Sequence, residues 1–258
     1  GAAWLALVPA IPPGAQRSPS AKPRPRARDS AGPRLTQAME NYLLSIYLVE
    51  EQGLRVTNQN LVEQLRRVPA TEYLGTSLPS VSGMVRRMEK EGLIQIGESR
   101  DISLTVHGRS LAESIIRRHR LAARMIVDML GVPLHKVNAE AHRLEHALSD
   151  EMEARIKAAL GSPATDPFGQ PIPGGTYSAP KGVVTLDRAQ AGSRMIVDRI
   201  PEDDEELVQY LAESGALPGV EVTVEENAPS RQVVTLKVGA RTAALGYAVA
   251  SRIRVRPG

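Results

Sequence analysis

A chain of 258 residues, 42% hydrophobic and with a formal net charge of +3, is long enough for one large packed domain or two to three small ones. It has no cysteine, which excludes a disulfide framework and any thiolate metal site and leaves nitrogen, oxygen and thioether ligands. One Trp, one Phe and six Tyr argue against a single-strand nucleic-acid reader, which stacks bases on aromatic platforms.

The charge is unevenly placed. Residues 1–34 carry six basic side chains (Arg17, Lys22, Arg24, Arg26, Arg28, Arg34) against one acid, Asp29, so the rest of the chain is net negative by two. This Pro/Arg-rich stretch reads as an unfolded tail, either a plain extension or an arm that touches DNA. Its apolar run Trp4–Ile11 is broken by Pro9 and has no basic residues before it, unlike a secretory signal. No run of 18 apolar residues occurs, so no membrane span is expected.

The folded part begins near Leu35. Thr36 caps an expected helix running to about Gln52, with Met39, Leu43, Ile46 and Tyr47 inward. Thr57 caps a second, with Leu61, Val62 and Leu65 inward. A third starts near Pro79, a residue suited to a first turn, and buries Val81, Val85 and Met88. Ser80, Ser82, Gly83, Arg86, Arg87 and Lys90 face outward. Leu93–Ile96 and Ile102–Thr105 then read as strands around a tight turn.

Three helices and a hairpin give the outline of a winged helix-turn-helix. Small hydroxyls let a backbone approach DNA and arginines reach phosphates or guanine edges, so these six residues and Arg100 at the wing tip are candidate DNA contacts. The competing reading is a small helical domain with a solvated basic face.

The middle segment carries the most chemistry. A helix expected over about 108–130 places His119 in an apolar stripe of Ala112, Ile115, Ile116, Ala122, Ile126 and Leu130. A second, expected over about 138–160, carries His142, Glu145 and His146 beside an arc of Ala141, Leu144, Leu148 and Met152. Spacings of three and four residues put these three donors on one helical face, where they can hold a divalent ion with help from elsewhere, His119 included. The alternative is a polar face with local ion pairs such as His146 with Asp150.

Residues 161–182 hold five Pro and five Gly and read as a linker. Beyond it, short alternating stretches within 195–197, 220–224, 232–238, 242–245 and 252–255, interrupted by one helix over about 205–215, argue a small barrel.

Taken together, these stretches resemble the DtxR/MntR-type metal-dependent transcriptional repressors over about residues 36–258. The likeness rests on Met39-Glu40-Asn41-Tyr42-Leu43 with Ile46-Tyr47, Pro79-Ser80-Val81-Ser82, Met88-Glu89-Lys90-Glu91-Gly92-Leu93 and Leu104-Thr105-Val106-His107-Gly108. It continues in Arg118-His119-Arg120-Leu121, Glu140-Ala141-His142-Arg143-Leu144-Glu145-His146, Leu148-Ser149-Asp150-Glu151 and Pro167-Phe168-Gly169-Gln170-Pro171-Ile172-Pro173-Gly174. The resemblance implies a mainly α fold with a small β part: a winged helix-turn-helix over 35–106, a helical metal-binding and dimerisation domain over 107–168, a linker over 169–182 and an SH3-like, FeoA-type barrel over 183–258.

It also implies a cytoplasmic homodimer that binds Mn2+ or Fe2+ and then a palindromic operator. His142, Glu145 and His146 fall on the primary metal positions, His119 on a ligand position of the preceding helix, and Asn41 on a first-helix position, with Glu40 as its neighbouring alternative. In the acidic run Glu202–Glu206, Asp204 is the nearest match to a barrel-donated ligand, although such a run also suits a helix N-terminus.

Three departures deplete the family's second site: Leu44, Ala123 and Asn138 stand where relatives carry ligands. The helix-turn-helix also holds a 13-residue insert, 66–78, in place of a turn of about 3–4 residues. Two other functions compete with this one. A barrel alone suits a metal-transport accessory module without DNA binding. An enzyme would need a nucleophile motif, a Gly-rich phosphate loop or HExxH spacing, none of which the sequence contains.

Overall fold

The computed structural model describes residues 35–68 and 74–258. The tail 1–34 and residues 69–73 of the insert, with the expectations placed on them, lie outside the described residues. The fold is mainly α with a small β part, as the sequence implied.

Helices form where a cap meets apolar periodicity. Thr36 accepts from Met39 N and opens α1 (Gln37–Glu51); Thr57 accepts from Asn60 N and opens α2 (Asn58–Leu65). Helix α3 (Leu78–Lys90) starts one residue before Pro79 because Ser77 caps it through Ser80 N. Proline sits in its first turn, where the missing N–H leaves no bond unmade. Strands β1 (Ile94–Ile96) and β2 (Ile102–Leu104) pair antiparallel as a wing. These elements close around Leu43, Ile46, Leu61, Leu65, Val81 and Met88.

Thr105 caps α4 (Val106–Asp128). Gly108 is required in its first turn: a Cβ there would lie 1.9 Å from Leu93 O, so only glycine lets the helix approach the wing this closely. Helix α5 (Leu134–Glu145) returns antiparallel to α4.

The single helix expected over 138–160 is in fact two. Leu144 O accepts from both Ala147 N and Leu148 N, which closes α5, and Ser149 opens α6 (Asp150–Ala159) by accepting from Met152 N. Leu148 keeps its apolar contacts from within the turn, so the periodicity does not register the break, whereas Met152 is 47% exposed.

The first part of the Pro/Gly-rich segment is a packed turn. Asp166 N and Ile172 N donate to Gln170 O and Ala164 O, Asp166 Oδ1 accepts from Phe168 N and Gln170 N, and Phe168 is fully buried. Gly169, at φ 85°, lets Asp198 O approach to 2.1 Å from where a Cβ would be.

The barrel contains β3 (Val184–Thr185), β4 (Arg194–Arg199), α7 (Glu205–Ser214), β5 (Glu221–Ala228), β6 (Val233–Val238), β7 (Arg241–Gly246), α8 (Tyr247–Ala250) and β8 (Arg254–Pro257). Its six strands run in the order β3-β8-β4-β5-β6-β7. Helix α7 lies against the β7 edge, where Tyr210 Oη accepts from Ala244 N at 2.9 Å and donates to Ala244 O at 3.3 Å. The barrel core is continuous with Ala122, Ile126, Val137 and Ala141 of α4 and α5, while the core around α1–α3 is separate. Helix α4 runs through both: Ala112, Ile115 and Ile116 belong to the one, Ala122 and Ile126 to the other.

Candidate metal centre

Helices α4 and α5 bring their chemistry together at mid-length. His119, His142 and Glu145 are all buried, at 3%, 4% and 1% exposure. One donor atom from each lies within 4.8 Å of the others. Glu145 is the hub: its Oε2 meets His119 Nδ1 at 2.6 Å, and its Oε1 lies 2.9 Å from His142 Nδ1 and 3.2 Å from His146 Nε2.

His146, the C-cap of α5, lies beside the other two, its ring centroid 5.4 Å from that of His142, and it also reaches α1. There Nδ1 meets Glu40 Oε2 at 2.6 Å and Nε2 meets Asn41 Oδ1 at 3.1 Å. Glu40 and Asn41 are held there by the first turn that Thr36 caps. The pairing of His146 with Asp150 does not form; Asp150 meets Arg118 instead. Two donor sets therefore share Glu145, one on α4 and α5, the other between α5 and α1.

Electrostatics favour keeping charge in this pocket. Burial works against a charged His119, but the Glu145 carboxylate, by hydrogen bond and by charge, holds its pKa up at about 9. Burial likewise opposes ionisation of Glu145, yet His119 and His142 hold it down at about 2. His119 Nε2 is buried, makes no hydrogen bond among the described residues, and lies 3.9 Å from Glu202 Oε2 of the barrel. A buried imidazole nitrogen aimed at a carboxylate, in a set of imidazole and carboxylate donors, fits a divalent cation of borderline to hard character.

Behind this set lies a second charged group that the sequence did not single out. Arg120 is fully buried and pairs with Glu51 at the end of α1, at 3.0 and 2.5 Å, and also donates to Pro171 O. Asp166 is buried beside it, its pKa pushed up to about 7 by burial and by Glu202, and burial pushes Glu202 upward as well. Of the acidic run, Asp204 caps α7 through Leu207 N at 3.0 Å, and Glu202 is the member that faces His119. Only a tertiary position separates Glu202 from its acidic neighbours, so no sequence signal marks it. Leu44 and Ala123 are buried apolar residues, and Asn138 lines a cavity of about 320 Å³ together with His119, His142 and Glu202.

The candidate DNA face is laid out along α3. Ser80, Gly83, Arg86, Arg87 and Lys90 are exposed, and Ser82 is half-buried. Asn58 at the start of α2 donates to Ser82 Oγ at 3.0 Å, a contact the sequence reading missed. Arg86 Nε donates to Ser82 O, and Arg87 pairs with Glu91 four residues on. Arg100, exposed at φ 60°, sits in the wing turn, whose base is fastened by Arg55 to Asp101 at 2.5 Å.

Two family models match the chain: "Iron dependent repressor, metal binding and dimerisation domain" over residues 105–174, and the FeoA domain over 184–257. The iron-dependent repressor IdeR of Mycobacterium leprae is 34% identical over 234 residues, which cover 86% of this chain and 97% of that protein. The diphtheria toxin repressor of Corynebacterium glutamicum is 35% identical over 218 residues, covering 78% and 89%. The chain belongs to the iron-dependent repressor family. Among solved structures, a manganese-dependent transcriptional repressor in complex with manganese superposes with a TM-score of 0.75 at 30% identity, covering 85% of this chain and all of that one. ScaR with bound Zn2+ superposes at 0.70 with 27% identity.

Within this family's frame, His119, His142, Glu145 and His146 all fall inside the matched metal-binding stretch. Glu40 and Asn41 lie before it, on the helix that the centre touches from outside. Glu202, Asp203 and Asp204 fall inside the FeoA match. The centre is thus assembled from three parts of the chain that the sequence separates widely.

Proposed function

We propose that the protein is a Mn2+- or Fe2+-activated, homodimeric repressor that acts in the cytoplasm at palindromic operator DNA. Residues 35–106 would read DNA, 107–168 would bind metal and dimerise, and 183–258 would brace the whole through the segment 169–182. No helix among the described residues is long and apolar enough to cross a membrane.

The observation that carries this reading is Glu145, a buried carboxylate shared by His119, His142 and His146, with His146 in turn fastened to Glu40 and Asn41 of α1. His119, His142 and Glu145 would hold the ion, with His146 and Glu40 or Asn41 next to it, and a bound cation would supply the positive charge that lets these carboxylates stay ionised away from water. His146 ties the sensor helix to α1, and α1 packs on α2 and α4, so the posture of α3 follows from how firmly that tie is made. Ser80, Ser82, Gly83, Arg86, Arg87, Lys90 and Arg100 would contact DNA, phosphates giving affinity and base edges giving choice. Met129, Leu130 and Met152, 57%, 65% and 47% exposed, offer apolar surface on the helical part for a second copy. Two-fold pairing would place half-sites about one helical turn apart, or a multiple of it.

A mobility shift with DNA selected by the protein from a random pool tests this. The shift should require Mn2+ or Fe2+ and disappear with chelator; equal binding in chelator would remove the sensing role. Arg86→Ala and Arg100→Ala should each flatten the salt dependence of binding by about one unit if each meets one phosphate.

The pH dependence has a definite sign. His119, raised from 6.5 to about 9, stabilises the metal-free fold fully below 6.5 and loses that effect as pH rises through about 9; Glu145, lowered from 4.5 to about 2, contributes above 4.5 and loses it as pH falls through about 2. An ion on His119 must displace its proton. Mn2+ affinity, followed anaerobically by electron paramagnetic resonance, should therefore keep rising up to about pH 9. A plateau already reached at neutral pH would show that His119 has no proton left there for the ion to displace.

A further inference from the structure

The loop between β4 and α7 meets two sets of partners. Glu202 turns inward, with Oε2 3.9 Å from His119 Nε2. The next residue, Asp203, lines the same cavity and takes two arginines at once. Its Oδ2 meets Arg67 Nη1 at 2.6 Å, and its Oδ1 pairs with Arg252. Arg252 follows α8 in the barrel. Arg67 follows α2 and stands at the start of the insert that leads to α3.

This contact crosses a boundary that apolar packing does not close. The core of α1–α3 and the core of the barrel are separate, and between them lies the cavity of about 320 Å³ that Leu44, Arg67, His119, Glu202, Asp203 and Arg252 help to line. Helix α4 joins the two cores along one line, which leaves rotation about that line to be fixed by contacts off the axis. The Arg67–Asp203–Arg252 bridge is such a contact. With Arg67 40%, Asp203 15% and Arg252 34% exposed, it is wet enough to break and re-form and is not buried structural glue.

We propose that Asp203 is a positioning residue that couples the metal centre to the DNA-reading helix, by fastening the loop that faces His119 to the end of α2, which packs on α3. This rests on the metal-dependent DNA-binding reading above. Neighbouring residues on one short loop serve the two ends: Glu202 feels what His119 holds, and Asp203 passes the loop's position to Arg67. Helices α2 and α3 share one core through Leu61, Leu65, Val81 and Met88, so a pull on Arg67 at the end of α2 carries to α3 through that packing.

The test uses the full-length protein, Mn2+ as the metal and DNA that the wild type selects from a random pool. Asp203→Asn keeps the shape and removes the charge; Arg67→Ala removes the partner from a partly exposed position where folding is not at stake; Arg67→Lys restores charge. At saturating Mn2+, Asp203→Asn and Arg67→Ala should each weaken DNA binding about five- to tenfold, with Arg67→Lys recovering much of it. Mn2+ affinity measured without DNA should be unchanged, and so should the salt slope of DNA binding under Asp203→Asn.

Wild-type DNA affinity in Asp203→Asn would overturn the proposal. So would tighter binding in Asp203→Asn with weaker binding in Arg67→Ala, since Arg67 would then be touching DNA itself. A matching loss of Mn2+ affinity would place Asp203 in the metal site and overturn it as well. If wild-type protein shows no dependence on Mn2+ at all, the underlying reading fails and takes the coupling with it, a result distinct from variants that match a responsive wild type.

Discussion

Glu145→Gln is expected to abolish metal-dependent DNA binding and to weaken Mn2+ affinity by at least about 100-fold, beyond what loss of an outer contact usually costs. The residue holds three imidazoles at 2.6–3.2 Å, so the change removes the one negative charge that His119, His142 and His146 share. The amide oxygen still accepts from His119 Nδ1, and His119, relieved of its anion, reverts toward the neutral form that burial prefers. The fold should therefore survive, and circular dichroism with gel filtration checks that it does. Retention of Mn2+ affinity within tenfold of wild type would show that the ion sits elsewhere.

Arg120→Ala should cost about 3–5 kcal/mol of stability, because it strands a carboxylate that was paired across the α1–α4 boundary. At about 2–4 °C per kcal/mol for a chain near this size, the melting temperature in metal-free buffer should fall by roughly 10 °C. Glu51 would be left with its charge 20% exposed, and Pro171 O would lose its donor. Replacing both partners by methionine should cost far less, since two apolar side chains of similar volume leave no charge behind. A loss below about 1 kcal/mol in the single variant would mean that α1 and the turn at 163–173 do not depend on this guanidinium.

Local chemistry made the helices legible and tertiary placement hid the centre. Thr36 and Thr57 each announce a helix start by a short-range rule, and the structure uses both as caps, whereas Gly108 sits inside the first turn of α4 for a tertiary reason, its approach to Leu93 O. The break between Glu145 and Asp150 was missed because Ala141, Leu144, Leu148 and Met152 keep a helical period through it. The signal was Ser149 followed by acids at Asp150, Glu151 and Glu153, a helix start inside an apparent helix. The break falls directly after His146, which closes α5 while its ring stays beside His142 and Glu145.

The pairing of His119 with Glu145 was readable only as antiparallel helices bearing complementary groups. Glu202 was one acid in a run of five, and choosing it over Asp204 needs the barrel docked on α4. Arg120, next to His119 in an arginine-rich stretch, looks like a solvated cation; its burial depends on Glu51, 69 residues away. Long-range ion pairs of this kind leave no local pattern.

The hydroxyl of Tyr210 on Ala244 has a consequence for the protein at high concentration. A terminal strand with free amides and carbonyls invites another chain to extend the sheet, and β7 is terminal in its sheet. One phenol occupies both backbone groups of the middle of that strand, so the barrel carries its own stopper against sheet growth. Tyr210→Phe would leave the fold standing but bare that strip, and the first sign should be slow, concentration-dependent precipitation rather than lost regulation.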